Sequence, residues 1–63
     1  MLKGTVKFFS DIQEYGFITS EISNQEIFVY ASGLIDNIQK NDQVIYNIAF
    51  DLDGAYAINV KLA

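Results

Sequence analysis

Five aromatic side chains set the chemical possibilities of this 63-residue chain: Phe8, then Tyr15 and Phe17, then Phe28 and Tyr30. Tyr15 and Phe17 are two positions apart, as are Phe28 and Tyr30, and successive side chains of a β-strand alternate sides. Each pair therefore shares one face. If the two segments pair antiparallel and in register, their four rings form one patch, and Phe8 on a preceding strand extends it. Rings laid on a sheet offer a π-surface, not a reactive group. Unpaired nucleic-acid bases stack on such surfaces at about 1–3 kcal/mol per base.

Little else in the chain could do chemistry. There is no histidine and no cysteine, so neither an activated nucleophile nor a nitrogen- or sulfur-ligated metal site can be assembled. Ser10 beside Asp11, or Ser20 beside Glu21, lacks a base to activate the hydroxyl. Asp51-Leu52-Asp53-Gly54 resembles a fragment of a calcium loop, but no distal bidentate glutamate follows, and a tight turn explains it better. No cofactor, no metal and no enzymatic activity are expected.

The rings must be positioned by a small fold. A chain of this length forms one domain, over residues 1–63, and buries only about 60% of its unfolded surface. It has no disulfide staple, but 51% of its residues are hydrophobic and none is proline. Closing a sheet on itself is an efficient way to use such a composition, because it removes loose edges. No apolar run approaches the roughly 18 residues of a membrane-spanning helix, and no apolar leader precedes the alternation that begins at Leu2. A cytoplasmic protein without membrane contact is expected. The net charge is −4, from four lysines, no arginine and eight acids. That balance by itself argues against a nucleic-acid partner, which normally demands a basic footprint.

The hydrophobic period is two throughout. Strands are expected at Leu2–Ser10, Tyr15–Thr19, Glu26–Ala31, Gln43–Phe50 and Tyr56–Leu62. Polar turns fall at Asp11–Glu14 and Ser23-Asn24, and Asp53-Gly54 marks a hairpin. Between Ser32 and Asp42 the alternation fails. A loop is expected there, with room for one helical turn and with Leu34, Ile35 and Ile38 anchoring it to the core. Val44, Tyr46 and Ile48 share one face of the fourth strand. Five short strands in 63 residues point to an all-β barrel.

An aromatic patch usually lines the interior of a β-protein. Here the alternate positions hold Val6, Gly16, Ile18, Ile27 and Val29, which are small or aliphatic, as a narrow barrel requires. Both faces cannot be inside. The aliphatic face is assigned to the core together with Phe9, which leaves the rings exposed as an interaction surface.

Gly4-Thr5-Val6-Lys7-Phe8-Phe9 resembles the opening strand of the bacterial cold-shock proteins. Tyr15-Gly16-Phe17-Ile18 and Ile27-Phe28-Val29-Tyr30 resemble that family's two ribonucleoprotein motifs, in order and with near-family spacing. Asp42-Gln43-Val44 and Ala57-Ile58-Asn59-Val60 sit where its fourth and fifth strands lie. The resemblance implies a five-stranded antiparallel OB-type barrel. It also implies a protein that binds single-stranded RNA or DNA with little sequence preference, as an RNA chaperone or cold-shock-type regulator. On that resemblance Phe8, Tyr15, Phe17, Phe28 and Tyr30 stack bases. Lys7 contacts the nucleic-acid backbone or a base edge, and Glu26 contacts a base edge.

The chain departs from the family pattern at several points. Phe8 stands where tryptophan is usual, Gln13-Glu14 replaces a lysine-glycine pair, Tyr30 replaces histidine and Ala31 replaces an aromatic. The loop after the third strand is shorter, and the last hairpin has no arginine. With Lys7 the one cation assigned to the ring face, binding should depend only weakly on salt. The alternative is a protein-interaction module on the same fold, with nucleic-acid affinity decayed. A monomer is expected, with a strand-exchanged dimer as the other possibility if the short Gly33–Asn41 connection is strained.

Overall fold

The structure is a computed structural model that describes residues 1–63. Its strands are β1 (Leu2–Ser10), β2 (Tyr15–Ser20), β3 (Glu26–Tyr30), β4 (Gln43–Asp51) and β5 (Gly54–Leu62), with one short 3₁₀ turn at Ala31–Gly33. They close into a barrel in the order β1-β2-β3-β5-β4. The fold is all-β, as expected. β3 stops one residue earlier than the alternation suggests, because Ala31 opens the 3₁₀ turn.

One pairing corrects the expectation of a wholly antiparallel barrel. β3 and β5 run parallel, with Phe28 opposite Tyr56 and Val29 opposite Ala57. The reason is arithmetic. Up-and-down alternation around a closed ring needs an even number of strands, so five strands leave at least one parallel neighbour. The remaining four pairings are antiparallel.

The core is aliphatic apart from one ring, Tyr46. Val6, Ile18, Val29, Val44, Ala57 and Val60 are buried with Ile38 and Tyr46, and Leu2, Phe9, Ile27, Leu34 and Ile48 pack against them. Gly16 keeps β2 thin where it meets β1: a Cβ there would lie 2.1 Å from the Phe8 carbonyl oxygen and 2.7 Å from the Phe9 Cα. At the β4–β5 hairpin Gly54 takes φ +119°, a conformation open to glycine at little cost. Tyr46 is wholly buried, and its hydroxyl has no hydrogen-bond partner. An unpaired buried hydroxyl costs about 1–3 kcal/mol.

Two bulges reset the alternation. Val6 pairs with Ile18 and Phe8 with Phe17, so Lys7 is an extra residue on β1. Strict alternation would turn Phe8 inward after Val6. The bulge lets Lys7 and Phe8 both face outward, and Phe9 returns to the core. On β5, Ile45 pairs with Lys61 but Asn47 pairs with Ile58. Asn59 there takes φ +53°, and Ala57 and Val60, three positions apart, both point inward.

The loop from Ala31 to Asp42 closes one end of the barrel. Leu34 bridges Val60 in parallel, and the Ile35 N–H donates to the Val60 carbonyl. Leu34 and Ile38 anchor the loop, but Ile35 does not: it is 61% exposed. Leu34 and Ile35 are adjacent in extended backbone beside β5, so only one of them can face in.

Candidate nucleic-acid interface

The register of β2 and β3 brings the expected rings together. Tyr15 lies opposite Tyr30, and Phe17 opposite Phe28. The Tyr15 and Phe28 rings stack at 5.4 Å with an interplanar angle of 29°, and Phe28 and Tyr30 stack at 5.0 Å and 26°. Phe17 tilts against Phe28 at 4.8 Å, and Phe8 meets Tyr15 edge-on at 5.8 Å. Such offset and edge-to-face contacts favour a fixed arrangement. The five rings therefore hold one another in a continuous layer over β1, β2 and β3.

The layer lies on the outside of the barrel. Phe8 and Tyr30 are 38% and 39% exposed, while Val6, Ile18 and Val29 beneath the sheet are 0% exposed. Tyr15, Phe17 and Phe28 are half-buried, shielded largely by one another. The layer is a platform on which flat groups can lie.

Tyr56 is a sixth ring that the sequence reading missed. It meets Tyr30 edge-on at 5.9 Å and carries the layer onto β5. Its alternation with inward-facing Ala57 already turned it outward. What placed it beside Phe28 was the parallel β3–β5 pairing, which has no local signal.

The charged residues sit at the margins. Lys7, set outward by the bulge, reaches across β2 and donates from Nζ to the Glu26 carboxylate on β3. Glu26 is two positions before Phe28, on the same face. The ion pair therefore borders the platform at the Phe17–Phe28 end. At the other end Glu14 precedes Tyr15 with φ +64°. Its N–H donates to the Ser10 carbonyl, and its own carbonyl accepts from the Ala31 N–H. Gln13 and Glu14 are exposed there. Lys3 and Lys61 lie away from the rings, flanking Ile45 on β4 from either side.

The outer ring layer on a five-stranded barrel, with these motifs in this order, decides the family. The "cold-shock" DNA-binding domain family matches residues 2–63. This chain belongs to the cold-shock domain family. A cold shock-like protein of Aquifex aeolicus is 36% identical, the match spanning 95% of this chain and 91% of that protein. The major cold shock protein of Micrococcus luteus is also 36% identical, over 95% of this chain and 96% of its own. Cold shock-like protein CspE of Escherichia coli is 32% identical, over 94% and 91%. Membership of this cold-shock domain family carries a nucleic-acid-binding function of the cold-shock type. No helix is long and apolar enough to cross a membrane.

Proposed function

We propose that the platform of Phe8, Tyr15, Phe17, Phe28 and Tyr30 stacks the unpaired bases of single-stranded RNA or DNA, with low sequence preference, as an RNA chaperone or cold-shock-type regulator. The observation that carries this reading is the face on which the rings lie. They form one layer in contact with solvent, while the aliphatic residues of the same strands fill the barrel. Stacking is tolerant of sequence because every base has a π-face. Competition between stacked and paired states is what would loosen RNA secondary structure.

The protein works as a monomer in this reading, with no free sheet edge for a second copy to extend. Titration with short oligothymidine and oligouridine, followed by quenching of tyrosine emission, tests the proposal. Saturable quenching at low salt is expected. Its absence would favour the protein-interaction reading, which the acidic rim at Glu14 and the paired state of Lys7 support.

A further inference from the structure

We infer that the tip of the β4–β5 hairpin is a docking site for an arginine-bearing apolar segment of another protein, separate from the ring platform. The tip carries Phe50, Leu52 and Ala55 with Asp51 and Asp53 among them, and all five are exposed. Phe50 is 78% exposed and Leu52 fully so. The turn has no use for either apolar side chain. The Asp51 carboxylate accepts from the Asp53 N–H, and Gly54 supplies the positive φ. A Cβ built on Gly54 would meet nothing within 4 Å, so the tip stands clear of the rest of the barrel. Two large apolar residues held out at a turn, where polar residues ordinarily sit, mark a contact surface.

This surface faces away from the platform. Ala49 pairs with Tyr56 and Phe50 with Ala55, and successive strand residues alternate sides. Phe50 and Ala55 therefore share the side opposite to Tyr56, which belongs to the ring layer. Charge selects the occupant. From Asn41 to Val60 the chain carries three aspartates and no cation, and two of the three are at the tip. A second copy would set these carboxylates against their own kind, and a phosphate backbone would meet the same repulsion. A guanidinium suits the tip, because it pairs with a carboxylate through a planar fork and lies flat on a ring such as Phe50. An aliphatic neighbour in the same segment then covers Leu52. Two anchors make a small contact, so a short peptide should bind with a dissociation constant of about 0.1–1 mM.

The test titrates isotope-labelled protein with a short peptide alternating arginine and leucine, capped at both ends, and follows amide chemical shifts by NMR. Saturable shifts at residues 50–55 are expected, with the amides of Tyr15–Phe17 and Phe28–Tyr30 unmoved. Phe50→Ser combined with Leu52→Ser should weaken the peptide at least about tenfold, while oligothymidine binds as before. Asp53→Asn should weaken the peptide about two- to fivefold and flatten its salt dependence. That variant keeps the turn, which the Asp51 carboxylate holds. Equal binding of a peptide with serine for leucine, or with glutamate for arginine, would overturn the inference. Shifts confined to the ring layer would overturn it by returning the peptide to the platform. Shifts of Phe50 and Leu52 caused by oligothymidine would do so by assigning the tip to the nucleic-acid path. Self-association in sedimentation that the double substitution removes would make a second copy the occupant. No saturable shift by about 5 mM peptide would overturn it as well. The peptide arms do not depend on whether the platform binds oligothymidine. Circular dichroism checks folding, and Asp53→Asn with the peptide series carries the test should the double variant unfold.

Discussion

The two faces of β2 and β3 differ in a way that inverts the usual rule of size. The inner face carries Gly16, Ile18, Ile27 and Val29, and the outer face carries the larger apolar bodies of Tyr15, Phe17, Phe28 and Tyr30. Hydrophobic burial would be greater if the rings were inside. The interior of so small a barrel already holds the Tyr46 ring and has no room for four more, so the narrow side chains of β2 and β3 face in and the rings are left wet. The lesson is a division of labour. The inner face holds the fold, and the outer face, held by ring-on-ring contact, is free to take a ligand.

That division predicts that substitutions on the two faces fail in different assays. The largest effect belongs to the inner face: Ile18→Ala should cost about 2–5 kcal/mol of stability by opening a cavity. Chemical denaturation measures this, and the fraction that remains folded should still bind oligothymidine. On the outer face, Phe17→Ala and Phe28→Ala should each weaken oligonucleotide binding by about 1–3 kcal/mol. Their unfolding midpoints should move much less than that of Ile18→Ala. Tyr46→Phe sharpens the account of the interior. It removes a buried hydroxyl without a partner and should raise stability by about 1 kcal/mol in the same denaturation experiment. The smallest effect is expected at the rim, where Gln13→Lys should tighten binding a few-fold and steepen the salt slope by about 0.7.

Much of this was legible because the period of two runs unbroken along β2 and β3. Tyr15 and Phe17 against Gly16 and Ile18, and Phe28 and Tyr30 against Ile27 and Val29, leave only two faces to choose between. The choice follows from side-chain volume. Val6 and Phe8 were harder, since residues two apart on a regular strand cannot occupy opposite faces. Side-chain type put Val6 in the core and Phe8 on the platform, and the bulge at Lys7, which no turn residue announces, is what makes both placements possible. The parallel β3–β5 contact follows from the odd strand count but leaves no local mark, and so Tyr56 escaped notice. Ile35 looked like an anchor because it is apolar, whereas the extended backbone beside Val60 had room for Leu34 alone. The Lys7–Glu26 pair was invisible for a different reason. It joins residues on strands separated by β2, and only the register of β1 and β3 against β2 brings them within reach.

The central claim is that the ring face is a binding surface and not a displaced core. The most direct test is the Phe17→Leu, Phe28→Leu double variant, which keeps apolar bulk while removing the π-faces. Its affinity for labelled oligothymidine is measured by fluorescence anisotropy, alongside its thermal unfolding. The account predicts a folded barrel with a melting temperature near wild type and binding weakened by about 2–6 kcal/mol, on the per-base stacking values. A variant that binds as tightly as wild type, or one that no longer folds, would contradict it.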